Sequence, residues 1–222
     1  MLGEDGWNLA SPRPGESVES RSWDRWAALY RLQESLEKPA LRALAEMLAA
    51  HGLEGPLLDV ATGTGAMLEA LTGVAHPPPR AVGIDASPRM LARVGRLPSG
   101  WRVVEGDARG LPFGDAEFSA ATAAYLLHTL DRRDAAAVLA EIRRVLVPGG
   151  RLGVITVAPP SGVLGGLLRS PLSRLGERSS GALAGLRPLD PRPALVAAGF
   201  ASLAGRRITR GYPSFCVVAE RR

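Results

Sequence analysis

Apolar residues along the chain fall into two alternating rhythms. Leu57–Val60, 80–84, Trp101–Glu105, Phe118–Ala124 and 151–157 are short runs rich in apolar and β-branched residues, bounded by glycine, proline or aspartate. Runs of this length and composition predict strands. Between them, 66–71, 89–96 and 131–146 carry apolar residues at helical spacing. The last of these sets Val138, Leu139, Ile142, Val145 and Leu146 on one face before Pro148-Gly149-Gly150 stops it. Ser87-Pro88 supplies an N-cap and a first-turn proline for 89–96. Strand and helix in strict alternation predict a mostly parallel sheet covered on both faces, an α/β fold. A helix over 193–198 and a hairpin-like pair of strands, 201–209 and 214–219, close the chain around Gly211-Tyr212-Pro213.

The flanks are less regular. Residues 1–22, rich in Gly, Pro, Ser and Glu, predict a mobile arm, and 23–222 a single domain. Within it, 23–52 is expected as a helical cover: Trp23, Trp26 and Tyr30 share one face, Pro39 interrupts, and Leu41, Leu44, Met47 and Leu48 resume the spacing. In 159–187, Val163, Leu164, Leu167, Leu168, Leu172 and Leu175 recur at helical spacing with arginines between them. That pattern fits a packed helix, a lid or insert on the acceptor side, or an element lying on a membrane surface.

Composition narrows the class. Hydrophobic residues make up 46% and charged residues 22% of 222, ordinary for one soluble domain. No apolar run reaches the ~18 residues of a membrane span. Cys216 is the lone cysteine, so no internal disulfide forms, a cytoplasmic setting is the default, and thiol-rich metal sites are excluded. No metal-ligand cluster is apparent, so no metal is expected. Net charge is +5, but from Leu139 onward 13 arginines face 4 acids, whereas the preceding part has 14 basic and 18 acidic residues. The basic half fits an arginine-rich genome or an anionic partner such as a membrane surface.

The candidate chemistry lies in Leu57-Leu58-Asp59-Val60-Ala61-Thr62-Gly63-Thr64-Gly65. A buried strand enters a turn of small residues and then a helix, with two glycines where backbone comes close to a ligand. The helix start is expected to offer N–H groups and its positive dipole end to a carboxylate or phosphate. A P-loop is excluded, because no G-K-S/T follows and Lys38 is the only lysine. The dinucleotide fingerprint fails at its third glycine, where Leu68 stands. Asp85 ends the second strand 20 residues after Gly65, and Gly106-Asp107-Ala108 follows the third strand 22 residues after Asp85.

The loop resembles the first motif, D-x-G-x-G-x-G, of the class I S-adenosylmethionine-dependent methyltransferases, with Ala61 in place of the first glycine. Val104-Glu105-Gly106-Asp107-Ala108 with Leu111-Pro112-Phe113, and the phrase from Arg144 through Pro148-Gly149-Gly150 to Leu152, are similar to that family's motifs. Arg25-Trp26-Ala27-Ala28-Leu29-Tyr30 is similar to the aromatic segment that folds over the cofactor in small-molecule members, including those of quinone biosynthesis. The resemblance implies a Rossmann-like, seven-stranded sheet with the last strand antiparallel. It implies S-adenosyl-L-methionine as cofactor, its methionine part at Asp59, Ala61, Thr62, Gly63, Thr64 and Gly65, its ribose at Asp85 and Ala86, its adenine at Asp107 and Ala108, and Tyr30 as cover. Tyr125 and His128, just past the fourth strand, are the candidate catalytic residues by motif position. Ser119 stands where many relatives carry aspartate, and Ala123-Ala124-Tyr125 replaces the D/N-P-P-Y/F of enzymes that methylate nucleobase amines. The acceptor is therefore expected to be a small, largely apolar molecule, or a lipid or membrane-associated acceptor, and not a nucleic acid. A nicotinamide-dependent reductase and a catalytically silent cofactor-binding module are the competing readings.

Overall fold

A computed structural model describes residues 20–158 and 188–222, with side chains from residue 35 onward. Seven strands, β1 (Leu57–Val60), β2 (Ala81–Asp85), β3 (Trp101–Glu105), β4 (Phe118–Ala124), β5 (Leu146–Val157), β6 (Phe200–Ile208) and β7 (Ser214–Arg221), form one sheet in the order β3-β2-β1-β4-β5-β7-β6. β7 is antiparallel to both of its neighbours, and the pairs from β3 to β5 are parallel. The expected α/β, seven-stranded architecture is present. Chain order reverses between β1 and β4, so their carboxyl ends open a crevice at the switch point.

Two apolar layers sandwich the sheet. Leu57, Ala120, Ile155 and Val218 pack under α1 (Ser20–Ala49) and α2 (Ala66–Thr72). Leu58, Val60, Ala121, Val154 and Val217 pack on the other face against Leu139 and Ile142 of α4 (Arg132–Val145) and Leu195 of α5 (Arg192–Ala197). The period-two alternation of side chains sends Leu57 and Leu58 to opposite layers. All four residues of β1 are consequently buried, which is why its sequence is an unbroken apolar run apart from Asp59.

Four boundaries differ from the sequence reading. Pro39 does not interrupt α1, which runs through it for 30 residues. A proline inside a helix costs about 3 kcal/mol, and tertiary contacts offset that here. Ala40, Leu41, Leu44 and Leu48 are buried beyond the proline, and the Leu36 carbonyl, before it, accepts the Tyr212 N–H from the β6–β7 turn at 2.8 Å. Residues 20–22 of the expected arm open this helix. The helix expected over 89–96 is reduced to α3 (Pro88–Leu91), capped by Ser87, whose hydroxyl accepts the Met90 N–H. α3 buries no residue, so nothing extends it once Gly95 and Pro98 approach. The stop at Pro148-Gly149-Gly150 is built into β5 itself, beside the register shift opposite Phe118 and Ala120.

The remainder of the expected arm and the 159–187 segment, with its lid, insert and membrane-surface readings, lie outside the described residues. Among the described residues no helix is long and apolar enough to cross a membrane.

Candidate functional site

The site grows from Asp59. Register sets Asp59 between Gly83 of β2 and Thr122 of β4. Its carboxylate is 1% exposed, and it accepts the Thr122 hydroxyl at 2.6 Å on one oxygen and the Thr62 hydroxyl at 2.6 Å on the other. Thr62 can reach down because Gly83 has no side chain: a β-carbon there would stand 2.8 Å from the Thr62 hydroxyl. Burial raises the Asp59 carboxyl to about 6, opposed by the two threonine bonds and assisted by the nearby Asp85 charge. Asp59 therefore anchors the start of the loop from below. Thr122 and Gly83, absent from the sequence reading, become visible only through strand register.

Above this anchor the loop spends most of its N–H groups on the fold. Thr62 N–H donates to the Ile84 carbonyl at 3.0 Å, and Gly65 N–H to the Thr62 carbonyl at 2.9 Å. Gly63 N–H donates to the Asp85 carboxylate at 2.8 Å, and the other oxygen of Asp85 accepts Ser87 N–H at 2.9 Å. The expected anion cradle of loop N–H groups is thus largely consumed, because the strand tips claim them. What remains is a tightly fixed rim with Asp85 at its centre. Ala61 turns at φ +57° and Gly63 at the same angle, and a β-carbon on Gly63 would meet nothing within 4 Å. Among the described residues, none comes within 4 Å of that open side.

A cavity of about 200 Å³ lies over this rim, lined by Asp59, Ala61, Thr62, Gly63, Thr64 and Tyr125, and closed by Glu37 and Leu41 of α1. Gly65 caps α2 beneath it at φ +81°. Asp85 joins through Gly63, and Ala86 is half-buried between Asp85 and Ser87. The β3 tip is tied alongside by Gly106 N–H donating to the Asp85 carbonyl at 3.0 Å. Asp107 and Ala108 follow there, outside the cavity proper. Asp107 accepts the Arg109 N–H at 2.7 Å and its guanidinium at 3.2 Å, and Ala108 is buried. The succeeding loop is held by α4: Arg144 donates to the Phe113 and Leu111 carbonyls while Glu141 accepts the Leu111 N–H at 2.8 Å. A larger hollow of about 810 Å³ between α1 and α2 shares only Leu41, Thr64 and Ala66 with this cavity and contains none of the strand-tip acids.

Tyr125 and His128, the candidate catalytic residues, lie together just past β4. Tyr125 leaves β4 at φ +56°, and its hydroxyl lies 2.7 Å from that of Ser214, which itself donates to the Tyr212 carbonyl at 2.7 Å. The single serine proton being spent, Tyr125 is the donor in the first bond. Burial pushes its phenol far above the ordinary range, and the Glu37 charge adds to the shift. His128 is 3% exposed and meets Tyr125 edge-on at 6.1 Å between ring centres, behind the cavity wall. Tyr30 falls among the residues whose side chains lie outside the described part. Ser119, in place of the aspartate of many relatives, ties β4 to the entry of β1 by donating to the Pro56 carbonyl at 3.1 Å.

Comparison with known proteins identifies the family. A family model described as a methyltransferase domain matches residues 57–150, from β1 into β5. A demethylmenaquinone methyltransferase of Roseiflexus castenholzii is 34% identical over 175 residues, 75% of this chain and 68% of that protein. The chain belongs to the class I S-adenosylmethionine-dependent methyltransferases. Another member, the ubiquinone/menaquinone biosynthesis C-methyltransferase UbiE of Desulfotalea psychrophila, is 42% identical over 111 residues, 48% of this chain and 43% of that protein. The chain spans about half the length of several curated methyltransferases it matches. In fold it is similar to the magnesium protoporphyrin IX methyltransferase of Synechocystis, solved with bound S-adenosylhomocysteine. The TM-score is 0.63 at 18% identity, over 91% of this chain and 95% of that one.

Proposed function

We propose that the chain transfers a methyl group from S-adenosyl-L-methionine to a small, largely apolar acceptor of the quinone class, with carbon as the atom methylated. The observation that carries the cofactor reading is Asp85, fixed at the tip of β2 by two backbone N–H groups beside the open face of Gly63. A carboxylate so held keeps lone pairs for a ribose diol, and a loop without a β-carbon at Gly63 admits the chain that joins ribose to the methionine end. Asp107 and Ala108, one strand further along, would take the adenine edge. Leu68, fully buried, fills the place where a dinucleotide fold needs glycine, which disfavours a nicotinamide cofactor. The names of the relatives support the acceptor class.

When bound, the cofactor would supply an already activated methyl group: the methyl–sulfur bond breaks with its electron pair left on sulfur, the acceptor carbon's pair forms the new bond, and the proton displaced from the acceptor is released to buffer. The protein's part is then chiefly to orient and to exclude water, and effective molarity can supply most of the rate. Tyr125, with its proton committed to Ser214, shapes the acceptor wall, and His128 supports the Tyr125 ring from behind. The test is transfer of isotopically labelled methyl from S-adenosylmethionine to demethylated quinols, with phenols, amines and RNA as comparison acceptors. Labelled quinone is the expected product; label only in RNA or amine would overturn the acceptor reading.

A further inference from the structure

Ser214 belongs to none of the sequence motifs and is not among the residues lining the cavity, yet it governs what Tyr125 shows to that space. It opens β7, its backbone paired with Val157 of β5 on one side and Ile208 of β6 on the other. The residue is fully buried, and its one hydroxyl proton goes to the Tyr212 carbonyl at 2.7 Å. Its oxygen is therefore left as an acceptor, fixed 2.7 Å from the Tyr125 hydroxyl. Tyr125 lines the cavity together with the apolar Ala61, Met90 and Ala124. A phenol anchored at a buried serine turns its ring to such a cavity and holds its hydroxyl back. The anchor is itself braced, because Tyr212 N–H donates to the Leu36 carbonyl of α1 at 2.8 Å, and α1 carries Leu41 into the same cavity lining.

We infer that Ser214 is a positioning residue for the methyl acceptor: by engaging the Tyr125 hydroxyl it presents ring surface to the acceptor and so favours an aromatic, weakly polar molecule there. The inference rests on the acceptor reading above and adds the residue that sets the polarity of the acceptor wall. Removing one partner of a buried hydrogen bond leaves the other in need of water or a new partner, whereas removing both together is far less disruptive. Without the serine, the phenol is released toward the cavity and holds water that an apolar acceptor has to displace.

Methyl-transfer kinetics with 1,4-naphthoquinol as acceptor, and calorimetry with S-adenosylhomocysteine, test this. In Ser214→Ala the KM for the quinol should rise by about five-fold or more while kcat moves by less than about two-fold, the pattern of lost uniform binding. Affinity for S-adenosylhomocysteine should stay within about two-fold. In a Tyr125→Phe background the same serine change should alter KM by less than about two-fold, because no hydroxyl is left to release. The Tyr212 carbonyl loses its donor in both backgrounds, so the melting temperature should fall in both. Ser214→Cys, nearly isosteric and a weak acceptor, should raise KM in the same direction by less, and it takes the place of the alanine variant should that one not fold. An equal rise in KM in the two backgrounds, or no rise in the first, would overturn the inference and leave Ser214 acting on stability alone. Absence of methyl transfer to the quinol by the unaltered protein would overturn the acceptor reading itself, and this inference with it.

Discussion

At the scale of single residues, Asp59, four positions before Gly63, and Asp85, 20 positions after Gly65, play different parts. Asp59 is a buried anchor whose carboxyl is raised from its ordinary 3.8 to about 6, chiefly by desolvation. The folded state thus binds the proton more tightly than the unfolded chain. The contribution of Asp59 to stability therefore declines as pH rises from about 4 to about 6 and is constant above. Asp59→Asn lacks this titration, so the stability of the unaltered protein minus that of the variant should fall across the same window. Denaturant unfolding at several pH values measures it, and a difference independent of pH would contradict the assignment. Asp85, by contrast, is half-buried at the tip of β2, where its carboxylate accepts the Gly63 and Ser87 N–H groups. Asp85→Ala should lower affinity for S-adenosylhomocysteine by about 1.5–3 kcal/mol, the worth of charge-assisted bonds. Calorimetry showing undiminished affinity in a folded variant would remove Asp85 from the site. Both aspartates were legible from sequence as strand-tip acids. Their division of labour was not, because it depends on Thr122 and Gly83, 63 and 24 positions away from Asp59, being brought beside it by register.

At the scale of elements, the critical joint is between α1 and the β6–β7 turn. Pro39 would be expected to end a helix, yet α1 continues because its buried residues dock on the sheet and its Leu36 carbonyl meets Tyr212 N–H. Gly211 makes that approach feasible: it turns at φ +79°, and a β-carbon there would collide with the Leu36 carbonyl and stand 3.3 Å from the Pro39 ring. Gly211→Ala should therefore cost at least about 2 kcal/mol, combining the left-handed backbone penalty with displacement of α1. A denaturation midpoint within error of the unaltered protein would show that α1 does not depend on this joint. Sequence periodicity identified both halves of α1 but not their continuity. Whether a proline breaks or merely bends a helix is decided by what the two halves pack against.

At the scale of the molecule, the reversal of strand order between β1 and β4 gathers the acids of β1, β2 and β3 at one edge of the sheet. A ligand of the folded state alone raises the melting temperature by mass action. S-adenosylhomocysteine should therefore shift thermal unfolding upward while NADH leaves it unchanged. An equal shift from both, or one from NADH only, would return the cleft to the nicotinamide reading. The same topology brings Tyr212 and Ser214, nearly 90 positions past Tyr125, beside that residue.

The sequence by itself determined the alternation of strands and helices and the train of small and acidic residues at strand tips. These follow from local periodicity, turn chemistry and spacing, which act over tens of residues. Only the tertiary structure decided that loop N–H groups would be spent on strand tips and that Tyr125 would donate its proton to Ser214. It also decided that Glu37 would face the cavity. Each of those outcomes depends on which polar groups burial forces to find partners. Such partners lie far apart along the chain and meet only when the sheet is assembled.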